Sequence, residues 1–354
     1  MNRHEFLSRL HEVYQPRTYF EIGVNDGRSL TLSRVPSVAV DPAHKVTTEL
    51  RCDLHLIKST SDDFFAREKP FEHLGDEPLV DLAFIDGMHL FEFALRDFIN
   101  AEKYADWSSV IVFDDQLPRN VPEAARDRHT TAWTGDVYKI IPALQRYRPD
   151  LRVAVMDTSP TGVVVVFGAD PSSTVLSDKY DEIMDTYLLK DPQQIPEEIL
   201  TRSCAMSPEA LFEAPFWSSL VAARDSGQSG YGREQLVAEI DKAFENLPTA
   251  ALGDWTPDPS VGRDTEPDPA GRVARGTAKA FREARSKKTA ASKPSGTRTK
   301  PATTASTSST AARAKASART KRPDDLIGKI ARKAPFLRKF PGARAVARRL
   351  RSAS

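Results

Sequence analysis

Cysteine is nearly absent: Cys52 and Cys204 are the only two among 354 residues. Their separation offers neither a disulfide framework nor the paired spacing of a zinc site. Long apolar runs are missing as well, so no stretch reads as a bilayer span. The opening MNRHEFLSRLHEVYQ has no apolar h-region and reads as an amphipathic helix rather than a secretory signal. These absences lead us to expect a reducing, cytoplasmic compartment, with contact at the inner face of a membrane left open. Large apolar side chains are also scarce in KKTAASKPSGTRTKPATTASTSSTAARAKASARTKR, which cannot offset the entropy of ordering.

Charge is present in quantity but unevenly placed. The whole chain has a formal charge of +1, from 50 Lys/Arg and 49 Asp/Glu. Residues 271–354 hold 24 of those basic residues and only 3 acids, a net of +21. That leaves 26 basic and 46 acidic residues in 1–270, a net of −20. One part can fold and most of the other cannot.

Between residues 17 and 168, short apolar runs alternate with helical periods. TYFEIGV (18–24), SVAVD (37–41), DLHLIKS (53–59), VDLAFID (80–86) and SVIVFDD (109–115) read as strands, with helices between them that include 28–34 and 90–104. Such alternation implies parallel βαβ units. LRVAVMDT and GVVVVFG are separated by SPT alone, which is too short for a crossover and suits a hairpin. The expected fold is α/β: a doubly wound, seven-stranded, mostly parallel Rossmann-like sheet closed by an antiparallel hairpin. Four regions are expected: a domain over 1–170, a helical extension over 171–250, a disordered linker and basic tail over 251–323, and a basic amphipathic segment over 324–354. In the extension, SPEA reads as a helix start with Ser207 as N-cap and Pro208 at the first helical position.

FEIGVNDGRS, residues 20–29, runs from an apolar strand into a glycine turn around Asn25. Glycines at 23 and 27 let a ligand approach the backbone, and a helix start would present unpaired N–H groups. Asp41 ends the next strand, where an acid can hydrogen-bond ribose hydroxyls. The structural alternative is a tight turn with an N-cap acid. The third glycine of the dinucleotide fingerprint is missing.

With Glu21 two residues before the first glycine, residues 15–168 resemble the class I S-adenosylmethionine-dependent methyltransferases. The resemblance implies that Glu21, Gly23, Asn25 and Gly27 lie against the methionine part of the cofactor and that Asp41 holds its ribose. It puts Ser61 and Asp62, in STSDDFF after the third strand, beside the adenine. An ordinary helix cap explains those two residues as well.

A second constellation sits at the ends of strands four and five, in FIDGMH and VFDD. Asp86, Asp114 and Asp115 would converge at one rim of a parallel sheet, where carboxylates repel unless protonated or bridged by a cation. Mg²⁺ or another divalent ion prefers such oxygen ligands. The pattern resembles the metal-dependent O-methyltransferases of the catechol and macrolide-sugar types, and a bacterial group with FIDGxH often attached to glycan gene products. Asp86 then faces cofactor, metal and acceptor. The resemblance makes His89 a candidate general base, since its ordinary pKa of about 6.5 suits proton transfer. Against this stand an Asp114 that merely buttresses the cofactor loop and a His89 that faces solvent.

The segment QLPRNVPEAARDRHTTAWTGDVYK is long for a connection and reads as a lid or binding loop. Arg119, Asn120, Arg126, Arg128, His129 and Trp133 offer donors and an aromatic face suited to sugars and carboxylated acceptors. Asp136 reads as the cap of a helix beginning at Val137. Near the C-terminus, Leu326, Ile327, Ile330, Phe336, Leu337 and Phe340 stand among cations, a pattern of membrane-surface binding to anionic lipid. Nucleic acid is the second candidate partner, with few aromatics for base stacking.

These features lead to an expected O-methyltransferase acting on a hydroxyl of a glycan or sugar-containing metabolite, Mg²⁺-assisted. A metal-independent methyltransferase and a non-catalytic membrane or nucleic-acid adaptor remain the alternatives. A homo-oligomer stays open.

Overall fold

The computed structural model describes residues 1–226, 230–247 and 251–260. The basic tail from 261 onward, including the amphipathic segment at 324–354, lies outside the described residues.

Seven short strands carry the fold. In chain order they are β1 (Tyr19–Ile22), β2 (Ser37–Val40), β3 (Leu54–Ile57), β4 (Leu82–Ile85), β5 (Val110–Phe113), β6 (Arg152–Met156) and β7 (Val163–Phe167). They form one sheet in the order β3-β2-β1-β4-β5-β7-β6. The first five are parallel, and β7 is antiparallel to both β5 and β6. Every residue of β1, β2, β4, β5 and β7 is buried, as expected of strands covered on both faces.

Alternate strand residues face two hydrophobic layers. On one side, Phe20, Ile22, Val38, Ile85 and Phe113 pack with α2 (Ser61–Phe65), α3 (Phe91–Ala101) and α4 (Ile140–Tyr147). On the other, Tyr19, Leu82, Phe84, Val112 and Phe167 pack with α1 (Arg3–Tyr14). The helices after residue 170 join these same layers. Of α5 (Val175–Asp178), α6 (Tyr180–Tyr187), α7 (Glu197–Leu200), α8 (Pro208–Phe212), α9 (Phe216–Ser226) and α10 (Arg233–Phe244), the first three lie with α2–α4 and the last three with α1. The extension is thus a packed layer on the sheet. Ser207 caps α8 by accepting from Ala210 N, as its sequence implies.

Two local expectations fail. The helix expected over 28–34 is a single 3-10 turn, Leu30–Leu32, because Pro36 lies just ahead and disfavours helical backbone at Val35. No helix N-terminus therefore stands beside the glycine turn. Asp136 does not cap its own helix, which opens as a 3-10 turn at Val137–Lys139 without a side-chain cap. Its Oδ1 accepts instead from Phe91 N, the first residue of α3. No helix among the described residues is long and apolar enough to cross a membrane.

Candidate active site

The carboxyl ends of β1, β2, β4 and β5 open onto one cavity of about 690 Å³. Gly23, Asn25 and Asp41 line one part of it, and Asp86, Gly87, His89 and Asp115 another. Asn2, Arg3 and His4 from α1 and its cap, Arg128 and Trp133 from the long loop, and Thr161 from the hairpin complete the wall.

The turn after β1 needs its glycine. Gly23 has φ +90°, and a Cβ there would lie 1.8 Å from the carbonyl oxygen of Asp86. Only a hydrogen lets the β1 and β4 loops touch. Asn25 also has a left-handed backbone, at φ 48°. Its N–H donates to Asp41 Oδ2 at 2.8 Å, and Ala43 N donates to Oδ1 at 2.6 Å. Asp41 thus holds the turn while still facing the cavity. Glu21 is fully buried under the turn and receives hydrogen bonds from Tyr19 Oη (2.6 Å) and Ser29 Oγ (2.9 Å). Burial pushes its carboxyl up to about 8, against the lowering effect of those two donors. Glu21 and Gly27 shape the turn from beneath and do not line the cavity.

Ser61 and Asp62 are not among the lining residues either. Asp62 makes a bidentate pair with the buried Arg96, at 3.0 and 2.9 Å. The cap of α2 is Thr60, whose Oγ1 accepts from Asp63 N. The adenine-side expectation therefore finds its Asp62 carboxylate already occupied, by an arginine 34 residues further along the chain.

At the other end the three strand-end acids do meet, but through two cations. Arg3 Nη1 lies 3.1 Å from Asp86 Oδ2 and also bonds Asp114 Oδ2. His89 Nε2 lies 3.1 Å from Asp86 Oδ1, and its Nδ1 lies 3.1 Å from Asp115 Oδ2 and 3.0 Å from the Trp133 carbonyl. Ligand atoms of Asp86, His89 and Asp115 fall within 4.8 Å of one another. Asp114 falls outside that cluster and is buried against Arg3.

Both imidazole nitrogens face acceptors alone, which favours the doubly protonated ring. Burial would lower the His89 pKa, but the Asp86 hydrogen bond and the charges of Asp86 and Asp115 raise it to about 9. Burial, then repulsion from Asp86, raises the Asp115 carboxyl. His89 and Asp115 also hold left-handed backbones, at φ 56° and 60°. Such sparsely populated conformations persist where surroundings enforce them, and here three of them surround one cavity.

The long loop is tied down by ion pairs. Arg126 is bound to Glu92 (2.6 Å) and Asp136 (2.9 Å), and Lys139 to Asp136 (2.8 Å). Arg119 pairs with Glu123. Arg119, Asn120, Arg126 and His129, read as acceptor contacts, do not line the cavity. Trp133 and Arg128 do. Trp133 stacks on His89 with centroids 5.2 Å apart, and the Arg128 guanidinium lies 5.5 Å from the same ring. Sequence reasoning passed over Arg3 entirely. No local signal marks it, because its partners lie 83 and 111 residues away.

Residues 20–116 match a family model described as "Methyltransferase domain". The chain thus carries, over that stretch, a match to a methyltransferase domain. It is an enzyme of methyl transfer. The β1 turn, Asp41 and the rim acids through Gln116 all fall within the matched stretch. No curated protein matches the chain.

Solved structures similar to this methyltransferase include TomG of Streptomyces achromogenes, an O-methyltransferase involved in tomaymycin synthesis, in complex with SAM. The identity is 16%, over 48% of this chain and 80% of that one, with a TM-score of 0.35. An O-methyltransferase of Bacillus cereus in complex with SAH is 16% identical over 47% and 80%, with a TM-score of 0.33. SAH-bound PaMTH1 of Podospora anserina is 15% identical over 48% and 78%, with a TM-score of 0.35.

Proposed function

We propose that the methyltransferase acts on a hydroxyl of a glycan or sugar-containing metabolite. One observation carries this reading: a single cavity joins the Gly23–Asn25 turn and Asp41 to the Asp86, His89 and Asp115 cluster. S-adenosylmethionine supplies the methyl group on a sulfonium, so the protein's task is to bind, align and handle one proton. Gly23 and Asn25 would take the methionine part, Asp41 the ribose hydroxyls, and Asp86 the boundary between cofactor and acceptor. Asn2, Arg128, Thr131, Trp133 and Thr161 offer the hydrogen-bonding and stacking groups that sugars use. His89 would accept the hydroxyl proton at Nε2 in its neutral form, after the Nε2 proton that faces Asp86 has passed to solvent.

The donor set fits a divalent cation. Asp86, Asp114 and Asp115 offer the carboxylate oxygens that Mg²⁺ or Mn²⁺ prefers. Such an ion would supply Lewis acidity toward the acceptor hydroxyl. One observation favours a metal-independent reading instead: Arg3 and His89 already compensate these acids. We also read the segment 324–354 as a contact with an anionic membrane surface, with nucleic acid as the second candidate.

The test is transfer of labelled methyl to a panel of glycosides, with and without excess chelator. Label on a hydroxyl supports the reading, and its loss in chelator supports the cation. Transfer to amines or carboxylates alone would refute the hydroxyl acceptor.

A further inference from the structure

We propose that Arg3 is the resident counter-ion of the strand-end acids, and that it and a divalent cation exclude one another there. The proposal rests on the divalent-cation reading above and concerns what controls that site.

The two would use the same oxygens. Arg3 Nη1 bonds Oδ2 of Asp86 and Oδ2 of Asp114. The Asp114 side chain is 2% exposed, and among the described residues no second cation reaches it. Leaving such a carboxylate without a partner is costly, so the position holds one cation or another.

Charge counting points the same way. Asp86 and Asp114 place two carboxylates on one guanidinium, which returns a single positive charge. Exchange of that guanidinium for a divalent ion balances the pair. Adding the ion with Arg3 still in place would leave an excess cation sharing the same two oxygens, which repulsion disfavours.

A second, independent feature lies beneath the acids. Gln116 is fully buried, and its Oε1 has no hydrogen-bond donor. It lines a small cavity of about 10 Å³ with Asp86, Asp114 and Asp115. An orphaned buried acceptor of this kind is satisfied by a water or an ion.

The exchange needs a side chain to move and nothing larger. Helix α1 is held by buried Phe6, Leu7, Leu10 and Tyr14. Its cap, Asn2, bridges Ser159, and the Met1 carbonyl accepts from Ser159 N at 3.0 Å. Arg3 itself is 29% exposed and lines the large cavity, which gives the guanidinium room to swing.

Mn²⁺ binding to the full-length chain tests this, by electron paramagnetic resonance and by calorimetry. Arg3→Ala should tighten Mn²⁺ by at least about tenfold relative to the native chain, with Arg3→Lys in between. Without metal, Arg3→Ala should melt lower than the native chain, and Mn²⁺ should restore it. Asp114→Asn added to Arg3→Ala should abolish the gain, which ties it to this site. Arg3→Gln serves if the alanine variant folds poorly. Equal Mn²⁺ affinities in all variants, or weaker binding without Arg3, would overturn the exchange while leaving the cation reading intact. Binding of Mn²⁺ by none of the variants would remove the cation reading and this proposal with it.

Discussion

An alanine methyl at Gly23 would sit 1.8 Å from the Asp86 carbonyl oxygen, on a backbone at φ +90° that side chains rarely adopt. Gly23→Ala is expected to destabilise the fold by more than about 2 kcal/mol in urea unfolding, since strain and overlap add. Its calorimetric affinity for S-adenosylmethionine should fall as well. His89 makes two opposite predictions. Its folded pKa of about 9 exceeds the ordinary 6.5, so its stabilisation is complete below 6.5 and is lost as pH rises through 9. The raised Glu21 carboxyl acts in the same direction between 4.5 and about 8. Melting temperature should therefore fall from pH 6.5 to 9, and His89→Gln should flatten the upper part of that slope. If neutral His89 is the base, turnover should rise over that range instead; a flat rate profile would remove the role. Asp114→Ala with Asp115→Ala should abolish metal-dependent turnover yet spare cofactor binding, as read by parallel assays and calorimetry. At this scale the rim acids were legible because Asp86 and Asp114 directly follow apolar strands, with Asp115 next in line and His89 three residues past Asp86. Arg3 was not, because its role exists only through partners far along the chain.

Elements were legible to different degrees. The strands declare themselves as short, largely apolar runs, and SPT between the last two left no room for a crossover. The 28–34 helix fell short because the approach to Pro36 cuts the element to one 3-10 turn. Asp136 misled in another way: its carboxylate was claimed by the start of α3 and by Lys139 and Arg126 rather than by its own helix. Burial would raise that carboxyl, but the two cations hold it lowered. Asp136→Ala should cost about 3–5 kcal/mol in thermal or urea unfolding, because it leaves buried Lys139 unpaired. Gly135 packs directly against the His89 carbonyl. The same variant should therefore shift the Trp133 fluorescence and lower turnover.

For the whole molecule, the charge division is the dominant feature, with a net of −20 in residues 1–270 and +21 beyond. Removal of residues 271–354 is expected to leave turnover on a soluble acceptor unchanged while abolishing cosedimentation with anionic vesicles. Loss of turnover on truncation would favour an adaptor-like role for the tail. Sequence alone determined the sheet, the glycine turn with its acid-ended partner strand, and the rim acids. Apolar periodicity and turn chemistry act over a few residues, and chain order then places strand ends together. Tertiary structure alone decided which partner each charged side chain took. Arg3 went to Asp86 and Asp114, Arg96 to Asp62, and α3 to Asp136. Buried charges must pair with whatever packing brings within reach, and that neighbour is set by the fold rather than by spacing along the chain.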